Sequence, residues 1–221
     1  MALSTISKTV NDVANNIRRS FGDESGVQIS DADIIRWVNN GQLEICSSAI
    51  VKRANSTTNL VAGQSEYDLS SLKIHKINSL RVSGTKAEYL TFQDFDEKVQ
   101  TQDPSSYNTG TPYLWTEWAG KILLYPTPSV DQVNGISVFY IPLPDDVTSM
   151  SDTLYVPDIY FNRLVEFVLA QAYELDDDPE NSQFKLSQFS SRLSSMGDDD
   201  TDPSIDFYPV ITVDPEDEWY M

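Results

Sequence analysis

His75 is the only histidine and Cys46 the only cysteine among 221 residues, so any chemistry that needs an imidazole or a thiolate rests on those two positions. His75 sits in Lys73-Ile74-His75-Lys76-Ile77, the pattern of one face of an ordinary strand, and no GxSxG turn supplies a nucleophile for it. Cys46 follows Ile45 in a helical pattern, where a small buried thiol is the ordinary reading. One cysteine excludes an intrachain disulfide and a CxxC redox pair, and with one histidine it excludes a Cys/His zinc site within one chain. Carboxylates are plentiful. The densest groups, Asp176 to Asp178 and Asp198 to Asp200, lack the EF-hand spacing, and the first reads as a turn between helices. Trp115 and Trp118 are placed to stack a sugar or a base, although strand aromatics more often fill cores and interfaces. The nine glycines are dispersed, with no Walker A or GxGxxG spacing. The expectation is therefore no catalytic, cofactor-binding or metal residue, no cofactor, and no enzyme.

Charge points the same way. The chain carries 34 acidic and 15 basic residues, a formal net charge of −19. Residues 1–98 hold 12 acids and 11 bases, and residues 99–221 hold 22 acids and 4 bases. Lys and Arg supply most of the affinity for phosphate backbones, so tight nucleic-acid binding is not expected. The first residues lack a secretory pattern and no apolar run reaches membrane-spanning length, so a soluble protein made in the cytoplasm, with no membrane partner, is expected.

The elements that position these residues read as helix, then strand, then helix. Ser4 caps a first amphipathic helix carrying Ile6, Val10, Val13 and Ile17, and Ser30 with Asp33 caps a second that runs to about Ala54. From Thr57 to Ile141 short β-branched and aromatic runs alternate with Gly, Pro, Asn and Asp, and a hairpin is expected to turn near Gly63. Thr91 with Asp94 caps a short helix inside this stretch. Helical periodicity returns after Pro157 and again after Pro179, ending at Gly197. The pattern predicts an α+β chain: an antiparallel helical bundle made of residues 1–55 and 148–197, with a β-rich domain inserted at 56–147.

Residues 198–221 stand apart, with nine acids, no Lys or Arg and three prolines. Phe207, Tyr208, Val210, Ile211, Val213, Trp219 and Tyr220 make the segment too apolar for a solvating tail. It reads as an extended C-terminal arm whose seven apolar residues bind a partner, with Val210 to Val213 suited to an added strand.

A resemblance connects these parts. Trp37-Val38-Asn39-Asn40-Gly41-Gln42 resembles the W-[IV]-N-x-[AG]-Q helix of the head-to-tail adaptors of tailed bacteriophages. Glu66-Tyr67-Asp68-Leu69, Gly110-Thr111-Pro112-Tyr113-Leu114-Trp115 and Ile122-Leu123-Leu124-Tyr125-Pro126-Thr127-Pro128 follow in the order of that family's strand motifs. Val138 to Pro144 and Leu154 to Tyr160 are similar to its closing strand and its lead into the third helix. The resemblance spans residues 30–195 and implies a structural virion protein. Such a subunit would join a homo-oligomeric ring of about twelve under the portal protein, a closed heterologous assembly. It would extend the DNA channel without specific DNA binding and dock a tail or nozzle protein. A carbohydrate-binding or hydrolytic tail component using Trp115, Trp118 and a carboxylate pair is the alternative, and a calcium-stabilised β module a third reading.

Overall fold

A computed structural model of the chain describes residues 6–23, 25–49, 51–100 and 109–197. Helix α1 (Val10–Phe21) begins at Thr9, whose hydroxyl accepts the Asp12 N–H while the Asp12 carboxylate accepts the Thr9 N–H. This reciprocal cap sets the start. It lies five residues after the expected cap, since Ile6 to Lys8 are not helical; Ser4 itself lies outside the described residues. Gly22, at φ +84°, closes the helix in the left-handed conformation that glycine adopts without strain. Helix α2 (Asp31–Ser48) starts as the pattern predicts, with the Asp33 N–H donating to Ser30 Oγ. It stops short of Ala54, which already belongs to a strand.

The strands are β1 (Ala54–Leu60), β2 (Glu66–Asp68), β3 (Ile74–Val82) and β4 (Thr85–Tyr89), followed by helix α3 (Phe92–Gln100). Then come β5 (Thr109–Gly110), β6 (Leu114–Trp118), β7 (Lys121–Tyr125), β8 (Thr127–Pro128) and β9 (Gln132–Pro142). Seven of them form one sheet in the order β1-β9-β3-β4-β6-β7-β2, and β5 pairs with β8. The expected hairpin at Gly63 is not a ladder. The chain does turn there, with Gly63 at φ +78°, but β1 pairs with β9 and β2 with β7. The longer ladder wins, because β9 offers eleven residues against three in β2.

That pairing dictates the shape of the sheet. Six steps of chain from Leu60 to Glu66 reach at most about 21 Å. Seven flat strands would separate the two edges by about 29 Å. The sheet therefore curls into a half-barrel.

After β9 a 3-10 turn (Asp158–Tyr160) leads into α4 (Phe161–Leu175), and α5 (Pro179–Gly197) packs against α4 and α2. The α+β mixture is as expected, but the antiparallel helical bundle is not the architecture. The molecule is built on the curled seven-stranded sheet, and its helices do not close a core by themselves. The helical core also takes in Ile29, Ala49, Val147, Leu154 and Val156 from irregular chain. Four apolar helix faces suggested a bundle because periodicity registers helices and overlooks single buried loop residues. A separate core of Leu60, Tyr67, Leu80, Val82, Trp115, Ile122, Ile136 and Val138 fills the sheet, and Phe95, Leu114 and Tyr125 join α3 to it.

Candidate interaction surface

The residues with chemical potential are dispersed. Cys46 is buried, and burial pushes its thiol up to about 11, away from nucleophilic use. The Lys52 ammonium lies 3.8 Å from the centroid of the Tyr155 ring, and burial lowers its pKa while raising that of Tyr155 to about 12. His75 is exposed on β3, beside a cleft lined by Leu69, Ile74, Glu117, Trp118 and Lys121. Among the described residues no group of three or more His, Cys, Asp or Glu is placed to hold a metal. The Asp176 to Asp178 cluster is an interhelix turn: Asp177 takes φ +53° and Asp178 accepts the Asn181 N–H at the start of α5.

The two tryptophans do not make one platform. Trp115 is 3% exposed, edge-on to Tyr89, and closed to any ligand. Trp118 is 57% exposed at the β6–β7 turn and stacks on Phe92 at 4.1 Å. The Phe92 and Trp118 rings make a small exposed aromatic patch, the side-chain type that anchors protein interfaces, whereas the exposed Tyr113 lies at the opposite end of β6.

The adaptor-like motif of α2 acts as a joint. Asn39 grips Val147 twice: its Nδ2 donates to the Val147 carbonyl at 3.0 Å, and the Val147 N–H donates to Asn39 Oδ1 at 2.8 Å. Gln42, fully buried, accepts the N–H groups of Tyr155 at 2.5 Å and Val156 at 3.4 Å. Between them Gly41 lets α2 meet α4, since a Cβ there would lie 2.7 Å from Leu164 Cδ1. Two amides and one glycine thus hold the segment that runs from the sheet back to the helices. Sequence reasoning recognised these residues only through their resemblance; the physical signal was a pair of amides on an otherwise apolar helix face, each needing a partner.

Aspartates tie the same region. Asp23 accepts the N–H groups of Ile29, Val27 and Gln28, and these bonds hold its pKa below the ordinary value against the opposing effect of desolvation. Asp158 accepts the Ser7 hydroxyl and N–H, and Asp152 the Thr148 and Ser149 N–H groups; both are lowered by these bonds. Leu154 N–H donates to the Lys8 carbonyl, fastening the chain before α1 to this segment. On α4 and α5, Glu166 and Arg192 form an ion pair, with Glu166 the more buried partner.

The seven arm residues predicted to bind a partner, Phe207, Tyr208, Val210, Ile211, Val213, Trp219 and Tyr220, lie outside the described residues. No helix among the described residues is long and apolar enough to cross a membrane.

No curated protein matches the chain. A family model does, that of the SU10 adaptor protein, over residues 8–211. That span takes in the α2 joint, the curled sheet and both closing helices. The match covers nearly the whole chain, and the chain belongs to the SU10 adaptor protein family, structural adaptors of bacteriophage virions.

Proposed function

We propose that this protein is a non-enzymatic head-to-tail connector whose copies form a ring of about twelve beneath the portal, a closed heterologous assembly. The ring extends the DNA channel and offers its lower surface to a tail or nozzle protein. The observation that carries this reading is the family match over residues 8–211. The exposed stack of Trp118 on Phe92 supports it as an interface with a neighbour or a tail protein. With 34 acids against 15 bases, the channel repels DNA rather than gripping it. Each copy carries −19, so rings form poorly alone at low salt and the portal promotes them. The arm, residues 198–221, is the docking element of the assembly.

Electron microscopy of the purified protein mixed with portal rings is the test. Extra ring density under the portal is expected, and its absence at saturating protein would overturn the proposal. A gel shift with linear DNA at physiological salt should show no sub-micromolar binding.

A further inference from the structure

We propose that the outer face of β1, β9, β3 and β4 receives the acidic C-terminal segment, residues 198–221, of a second copy of this chain. On that face Thr57, Ser137, Arg81 and Lys86 lie in one cross-strand row, so Arg81 stands directly opposite Lys86. Like charges in that relation destabilise a ladder, and their juxtaposition calls for an external anion. Neither forms an ion pair with a carboxylate of the described residues, Glu88 two positions along included. The Arg81 guanidinium lies over the Phe139 ring at 5.2 Å. Beside this pair, Arg53, Asn55, Asn78 and Phe139 line a shallow concavity.

Residues 198–221 supply the complement. Nine carboxylates and no Lys or Arg answer Arg81 and Lys86, and Phe207, Tyr208, Trp219 and Tyr220 suit the Phe139 surface. The segment leaves α5, which packs against α4 and α2, and its 24 residues span up to about 80 Å when extended. That is ample to reach a neighbouring subunit. One arm and one face per copy make a heterologous contact, which propagates from subunit to subunit. The proposal rests on the connector reading in requiring copies side by side.

The test is zero-length carbodiimide coupling of a mixture of full-length 14N and 15N chains, read by mass spectrometry. Mixed-isotope peptides joining Lys86 to carboxylates of 198–221 are expected. They should disappear near 1 M salt, where screening shortens to about 3 Å, and fall several-fold in Arg81→Glu but not in Arg81→Lys. Coupling of Lys86 to the segment only within same-isotope chains, or coupling of the segment to other lysines but not to Lys86, would overturn the proposal. Microscopy of the same mixture with portal rings reads the connector separately. Lys86 coupling without rings sinks the connector and leaves the contact standing; rings without Lys86 coupling do the reverse.

Discussion

The helical region leans on buried polar side chains to satisfy backbone donors more than the curled sheet does. In the helical region, Gln42 is fully buried and its carbonyl oxygen is engaged by two backbone N–H groups, while its Nε2 has no partner among the described residues. In the sheet, Thr116 is as deeply buried and its hydroxyl has no partner among the described residues. The difference follows from backbone accounting. Strands satisfy one another's N–H and C=O groups through the ladder, so in the sheet a buried side chain answers the backbone where the ladder ends, as the Tyr67 hydroxyl does by accepting the Val61 N–H. A core closed by irregular chain leaves backbone donors that side chains must satisfy, and Asn39, Gln42, Asp23, Asp152 and Asp158 do so here.

The largest expected effect bears on the helical core. Trp37, buried in α2 among Ile34, Val38 and Leu164, should cost about 3 to 5 kcal/mol when replaced by Ala. Chemical denaturation measures it, and an unchanged midpoint would mean that the helices do not depend on one core.

Next comes the joint itself. Gln42→Leu keeps the volume and removes the unpartnered Nε2, but strands the Tyr155 and Val156 N–H groups, for a net loss of about 1 to 3 kcal/mol. A loss below that range would show that the loop finds other partners.

The third prediction uses acid. Asp23, Asp152 and Asp158 have folded pKa values below the ordinary 3.8, so their contribution is fully present above that value and is lost as pH falls through the folded values. Melting temperature should drop steeply below about pH 4, and Asp23→Asn should flatten that limb. An acid limb of the same slope in the variant would remove Asp23 from the account.

The smallest effect sharpens the contrast. Thr116→Val removes a hydroxyl that has no partner and leaves the shape, so stability should stay within about 0.5 kcal/mol or rise. A large loss there would put a hidden polar contact in the sheet and erase the distinction.

Much of this molecule was legible in the chain. Ser30 with Asp33 and Thr91 with Asp94 marked real helix starts, because a cap is a contact over three residues. The strands from Ile74 to Tyr89 and from Leu114 to Tyr125 stood out through local alternation and turn residues. The motif order from Trp37 to Tyr160 carried the resemblance to the adaptor family, which the match over residues 8–211 bears out. Partners across the chain were beyond such reasoning. Asn39 meets Val147 and Gln42 meets Tyr155 more than a hundred residues away, and nothing local specifies either pairing. Likewise, the turn at Gly63 was visible, but its placement between opposite edges of the sheet was decided by the competition of β9 for β1. Composition and local spacing determined which segments are helix or strand and that reactive groups are scarce. The half-barrel and the amide joint came only with tertiary structure, because both depend on which distant backbone groups leave water together.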